Sequence, residues 1–416
     1  MPAASVVLVV LALIGAPLFA IIAAGAMIGF SREGIDLSVL AIEFFGIAET
    51  PVLVAIPLFT FAGFLLSEGK APQRLVRLSR ALLGWLPGGL AMISLAVCAL
   101  FTAFTGASGV TIIALGALLF PALVEAGYER RFSLGLITAS GSLGLLFAPS
   151  LPLILYGVVA EASIDDLFRA GILPGLLMVV LLAGYGFIRN RHTAMPRVPG
   201  REVLGAILDA KWDIPLPVVV LGGIYSGYFA ISEAAAVTAL YVLVVELIVL
   251  REIRVEALPR IVRESMVLVG AILTILGMSL ASTNYLIDVG VPQRLFEVTS
   301  QFVSGHNTFL LALLVFLLAL GAILDIFSAI VLVVPLIVPV ALEYGVDPIH
   351  LGIVFLAAME LGYLTPPVGL NLFIASHRFG EDIVQVYLAT IPFLLVLLVS
   401  VVIITFWPAL SLFLVG

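Results

Sequence analysis

Four short stretches of this chain gather small hydroxyl, amide and carboxylate side chains among otherwise apolar residues. They are FTGASGVT (Phe104–Thr111), GLLFAPS (Gly144–Ser150), GAILDIFSA (Gly321–Ala329) and LTPPVGLNLFIAS (Leu364–Ser376). Proline removes a backbone donor and pushes its predecessor out of the helical region. A helix interrupted this way ends its first half in carbonyls with partial negative charge and starts its second half in amides with partial positive charge. The carbonyls, with Ser, Thr, Asn and Asp oxygens, suit a cation such as Na⁺, and the amides suit a carboxylate. One candidate cation site combines Gly106, Ala107, Ser108 and Thr111 with Gly144, Pro149 and the rest of that stretch. The other combines Asp325 and Ser328 with Gly362, Thr365 and Pro366. Ser108, Gly109, Ser150, Pro367 and Asn371 are the candidates for holding a carboxylate substrate.

The surroundings of these stretches are membrane-like. Hydrophobic residues make up 62% of the 416 and charged residues 11%, against about half and a quarter in a soluble domain. At about 20 residues per span there is room for roughly 10–12 membrane helices. The expected fold is therefore an all-α polytopic membrane protein, because a β-barrel would show short alternating strands. The first apolar run, from Ser5 to Phe30, has no basic head and exceeds a signal core, so it is expected to be a retained span. Cys98 is alone, which excludes an internal disulfide and a cysteine-rich metal site. The only lysines, Lys70 and Lys211, lie in no phosphate-binding loop. No basic patch points to nucleic acid.

The chain also repeats itself. PQRL occurs at Pro72–Leu75 and Pro292–Leu295, 220 positions apart. PALVEAG from Pro121 parallels PVALEYG from Pro339, and GLLFAP from Gly144 parallels GYLTPP from Gly362, both at an offset of 218. The basic loop of the first copy (Lys70, Arg74, Arg77, Arg80) corresponds to a loop with only Arg294 in the second. The Arg130–Arg131 turn corresponds to an acidic one. Basic loops stay in the cytoplasm, so the copies are expected to be inverted, as in secondary transporters. The same count puts the N-terminus in the cytoplasm and the C-terminus in the periplasm.

Five segments follow. Residues 1–49 hold a first span and an interfacial helix. Residues 50–190 form copy one, with an entering helix (50–66), a hairpin (88–124), a broken helix (133–160) and a closing helix (171–188). Residues 191–264 carry a linking helix pair and cytoplasmic loops. Residues 265–376 form copy two, with an entering helix (265–284), a hairpin (306–342) and a broken helix (350–376), and 377–416 hold a last span. The polar hairpin tips belong where they line a cavity or are buried in protein, so both hairpins are expected to be re-entrant and to meet the helix breaks. Ser140 and Ser142 are expected to bond to their own helix, and Asp325, a carboxylate deep in the membrane, to bind the ion, a role compatible with capping the helix after it. Glu360 is expected to be either a functional carboxylate within the membrane or a protonated acid hydrogen-bonded to a neighbouring helix.

TPPVGLNLF, GGIYSGYF followed by SEAAAV, LGALLFPALVEAGY, ILYGV with DLFRAGILPGLL, and GVDPIHLGI resemble the large membrane subunit of the tripartite ATP-independent periplasmic (TRAP) transporters. The resemblance covers most of the chain from about residue 50. It implies an inner-membrane subunit that couples Na⁺ entry to uptake of a small organic acid by an elevator motion. It also implies two partners, a small four-helix membrane subunit and a periplasmic substrate-binding protein. The chain departs from the family pattern at Ala107, usually serine, at Ala358, usually asparagine, and at Ile326-Phe327, usually Pro-Thr. Two other functions compete. One is a stand-alone Na⁺-coupled anion transporter of similar inverted design. The other is an intramembrane serine protease, suggested by the GxSG pattern at Gly106–Gly109, which needs a histidine base near Ser108.

Overall fold

A computed structural model describes residues 7–8, 10–11, 14–193 and 199–415. The start of the first apolar run and the middle of the basic 189–201 loop lie outside the described residues. Among the described residues every regular element is helical.

Helices α1 (Leu18–Glu33) and α2 (Ser38–Gly46) lie before the first copy. Copy one holds α3 (Ala55–Glu68), α4 (Ala71–Leu83), α5 (Gly89–Thr105), α6 (Ser108–Ala114), α7 (Gly116–Glu125), α8 (Arg130–Ser140), α9 (Leu151–Val159), α10 (Ile164–Ala170) and α11 (Ile172–Arg189). The linker folds as α12 (Gly200–Asp209), α13 (Pro215–Tyr225) and α14 (Ile231–Val244), the last running into a π-helical turn over Val245–Val249. Copy two holds α15 (Leu258–Asp288), α16 (Val291–Ser300), α17 (His306–Gly321), α18 (Ile326–Glu343), α19 (Pro348–Gly362) and α20 (Leu370–Phe379). The chain ends in α21 (Ile383–Phe406) and α22 (Pro408–Leu412). Element boundaries recur at the offset seen in the sequence. The starts of α6 and α18, the ends of α7 and α18, and the starts of α8 and α19 are each 218 residues apart.

Local chemistry explains the breaks. Gly106 ends α5 in the left-handed conformation (φ +64°), which costs glycine no steric penalty. Gly369, also left-handed at φ +56°, precedes α20. The Ala148–Pro149 and Pro366–Pro367 bonds are both cis. α6 and α7 meet at a 49° bend. These interruptions correct the span count. Among the described residues six helices, or seven counting the bent pair, are long and apolar enough to cross a membrane, not ten to twelve. The remaining apolar length is cut into shorter pieces such as α5, α17 and α19. The second entering helix also starts earlier than residue 265, at Leu258, where Pro259 occupies a first-turn position that needs no donor. The linker contains α12, a helix its loop-like composition does not announce.

The middle of the molecule is where the broken helices lie. α19 is buried on every side from His350 to Gly362, which explains its apolar run without periodicity. It packs against α17, and α9 of copy one packs against α18 of copy two. α8 lies along α21, and α3 along α14 and α15.

Candidate cation and substrate site

The first hairpin tip and the first break form one polar knot. Thr102 Oγ1, on α5, donates to the Gly141 carbonyl at 2.9 Å and lies 2.7 Å from Thr111 Oγ1 on α6. A hydroxyl has one proton. Since that of Thr102 goes to Gly141, Thr111 must donate to Thr102, which leaves the Thr111 lone pairs free. Thr105, Ser142 and Ser150 are buried, and their hydroxyl oxygens have no partner. Ser150 precedes α9 without capping it. Gly106 faces Leu151 so closely that a side chain there would overlap it. A side chain at Gly141 would strike Ile112 of α6 and one at Gly144 the α5 backbone at Ala99 and Ala103. Ala107 is the N-cap of α6 but has no side-chain acceptor. Ser108 is buried, and Gly109 touches Ile374 of α20.

The second tip and break are joined differently. Asp325 Oδ1 accepts from the amides of Phe327 and Ser328 at 3.0 Å each, and Oδ2 accepts from the Ser328 hydroxyl. The Tyr363 hydroxyl accepts from the Ile326 amide at 2.9 Å, so the first three amides of α18 are all satisfied. The Val368 amide donates to the Ala322 carbonyl at 3.2 Å. Gly362 lies against the Gly321 backbone with no room for a side chain. This repeats the contact of Gly144 with Ala103 at the same 218-residue offset. Thr365 donates to Leu361, and the Pro367 carbonyl accepts from the Tyr387 hydroxyl. Pro366 and Pro367 are exposed.

Three contacts at the tips and breaks join the copies. Asn371 Nδ2 reaches the Thr138 carbonyl of α8 at 3.4 Å, and Asn371 Oδ1 is buried without a partner. Gly109 meets Ile374. Glu360, 1% exposed, has no hydrogen bond to either carboxyl oxygen, and the Leu146 amide of the first break approaches it. Asn371 therefore joins the first copy rather than Asp325, because the turn at Gly369 directs α20 toward α8. Ser140 bonds to Ile137 as expected of a helix serine. Ser142 does not, because it lies past the end of α8. Thr102, Thr105 and Tyr363 complete the polar set. The FTAFT spacing, Phe101–Thr105, was a sequence signal for the two threonines. Nothing in the sequence singled out Tyr363.

Among the described residues no histidine hydrogen-bonds to Ser108. His350 faces Ser411 and the Thr405 carbonyl, and His306 the Tyr344 carbonyl. The arrangement is one of unpartnered lone pairs and helix ends, suited to binding and release.

Such interrupted helices on an all-helical membrane scaffold define a transporter. Residues 5–410 match the family described as the tripartite ATP-independent periplasmic transporter, DctM component, and the chain belongs to that family. It is 37% identical over 376 residues to the C4-dicarboxylate TRAP transporter large permease protein DctM of Pseudomonas aeruginosa, covering 90% of this chain and 88% of that one. It is 32% identical over 413 residues to the ectoine/5-hydroxyectoine TRAP transporter large permease protein UehC of Ruegeria pomeroyi (98% and 96%). To the isethionate TRAP transporter permease protein DctMQ of Oleidesulfovibrio alaskensis it is 35% identical over 382 residues, spanning 91% of this chain but 60% of DctMQ. The fold also resembles the crystal structure of the YdaH transporter of Alcanivorax borkumensis, with a TM-score of 0.62 at 16% identity over 89% of this chain and 87% of that one. The chain is thus a multi-pass large permease subunit of a TRAP transporter, not an enzyme.

Proposed function

We propose that this subunit uses Na⁺ entry to drive uptake of a small carboxylate across the bacterial inner membrane. A periplasmic binding protein delivers the substrate and a small four-helix membrane subunit braces the chain. The observation that carries this reading is the clustering of buried oxygens without partners. Thr105, Ser142, Ser150, Glu360 and Asn371, all at the tips and breaks, account for every such side-chain oxygen among the described residues except one on Glu246. Buried polar atoms are nearly always satisfied, so an unsatisfied cluster calls for a ligand. Hydroxyl and amide oxygens beside half-helix carbonyls fit a dehydrated monovalent cation. The uncapped start of α9 at Ser150 offers amides to a carboxylate.

In this reading the two copies are inverted in the bilayer, with re-entrant hairpins and both termini placed as the basic loops direct. Hairpins and broken helices slide as one body against α1, α2 and the linking helices. The names of relatives, covering C4-dicarboxylates, isethionate and ectoine, support a small acid as cargo. The portion of DctMQ beyond this chain supports a further membrane component.

Uptake of labelled small acids by cells expressing the chain with a small subunit and a binding protein tests the proposal. Replacing Na⁺ by choline should abolish uptake, and undiminished uptake would refute the coupling. Should the chain alone carry substrate into liposomes, the stand-alone anion transporter is the correct reading.

A further inference from the structure

The two PQRL stretches differ in what their arginines meet. Arg294, on α16, is exposed and forms no ion pair among the described residues. Arg74, on α4, is buried among three carboxylates. Its Nε and Nη2 lie 2.5 and 2.9 Å from Asp213, its Nη1 lies 2.5 Å from Glu252, and its Nη2 lies 3.1 Å from Glu246. Glu246 has no solvent exposure and its Oε2 has no partner. It sits in the π-helical turn that ends α14, and the Glu252 amide donates back to the Glu246 carbonyl at 2.9 Å. That turn holds both glutamates on the same guanidinium. The Glu246 carboxyl fills the space a side chain would take at Gly69.

The other charged groups nearby are occupied or out of reach. The Lys70 amide donates to Glu252, Arg77 pairs with Asp209, and Arg260 pairs with Glu68 and Glu264. Lys211 lies over Trp212, and the Tyr241 hydroxyl donates to the Trp212 carbonyl. Lys70 and Lys211 form no ion pair among the described residues. One guanidinium therefore faces three acids. Burial opposes charge on Glu252, but hydrogen bonds from Arg74 and the Lys70 amide hold it below the usual carboxylate range. With Glu252 and Asp213 ionised the cluster is already one negative charge in excess, and a third buried carboxylate would leave a second charge uncompensated, at a cost of about several kcal/mol.

We propose that Glu246 carries a proton, which its Oε2 donates toward Glu252, and that this proton closes a latch holding α4 to the linking helices. The latch fastens α4 only, because α16, which carries the second PQRL stretch, has no such anchor among the described residues. It lies at the end of the fold that the basic loops assign to the cytoplasm. A proton bound in the folded chain but absent from an exposed carboxyl at neutral pH stabilises the fold at low pH. That stability is lost as pH rises through the site's titration.

The test uses the full-length chain in detergent. Difference infrared spectra at neutral pH, wild type minus Glu246→Gln, should show loss of a protonated-carboxyl stretch, with any Glu360 signal cancelling. The wild-type melting temperature should fall between about pH 5 and pH 8 (from just above the ordinary glutamate pKa to about one decade past neutrality), and Glu246→Gln should remove at least half of that fall. Should Glu246→Gln not fold, Glu252→Gln replaces it and should shift the same stretch by removing the proton's acceptor. An unchanged spectrum overturns the proposal. So does a melting temperature that rises with Na⁺ at fixed pH in the wild type but not in Glu246→Gln, because the site would then hold a cation.

Discussion

The break at 141–150 is buried at every residue but Phe147, whereas the break at 363–369 is open from Pro366 to Val368. The hairpin tips differ in the same sense. Ala107 and Asp325 occupy one repeat position, 218 apart, and both are helix N-caps. Asp325 satisfies two amides of α18 and Tyr363 a third, while the Ser108, Gly109 and Val110 amides of α6 have no partner among the described residues. Ser142 and Glu360 are likewise equivalent positions, and both are buried with unpartnered oxygens. In copy one the tip and break are buried with free donors and acceptors; in copy two the tip is capped by its own side chains and the break reaches the surface, while Glu360 and Asn371 keep unpartnered oxygens. Stretches 218 residues apart thus keep the same crossing, Gly144 on Ala103 and Gly362 on Gly321, while surrounding it with different side chains.

The shared crossing is the most fragile element. Gly144→Val or Gly362→Val should abolish uptake and lower the folded yield, since overpacking costs about 1–3 kcal/mol even where neighbours can yield and here the neighbour is backbone. Size-exclusion recovery and uptake measured together check this; normal uptake from either variant would mean the two helices separate freely. Thr111→Val removes the lone pairs argued to face a cation. The Na⁺ concentration giving half-maximal uptake should rise at least ~10-fold, the equivalent of about 1.4 kcal/mol. Asp325→Asn separates capping from ion binding, because asparagine caps equally well. A cation role predicts a several-fold rise in half-maximal Na⁺ with unchanged expression, and an unaltered Na⁺ curve would leave Asp325 as a cap alone. Smallest is Ala107→Asp, which gives copy one the cap of copy two. It should stabilise the tip by ~1 kcal/mol, raise the melting temperature by a few degrees and slow uptake by occupying the free amides.

The elements were largely legible because the signals are local: proline and glycine at the breaks, polar tips between apolar arms, and a constant offset between related stretches. The span count was not, because length and apolarity do not reveal where a helix stops short. Of the site, Asp325 and the threonine at 111 were visible as oxygen-bearing residues at tips. Asn371 sits at the second break, its amide 3.3 Å from the Tyr363 carbonyl, but its side-chain contact was not legible, because the Thr138 carbonyl is backbone and 233 residues distant in sequence. Ser142 looked like an ordinary helix serine, and only the position where α8 ends shows otherwise. Arg74 and Arg294 sit in identical tetrapeptides, so nothing local could have told the buried arginine from the exposed one.

The bond from Asn371 to Thr138 crosses from one half of the molecule to the other at the base of both interruptions. Under the proposed Na⁺ coupling, an ion bound at one break would stiffen a strut shared with the other. Such reciprocity predicts a sigmoidal response of uptake to Na⁺, which severing the strut with Asn371→Leu should flatten toward a simple hyperbola.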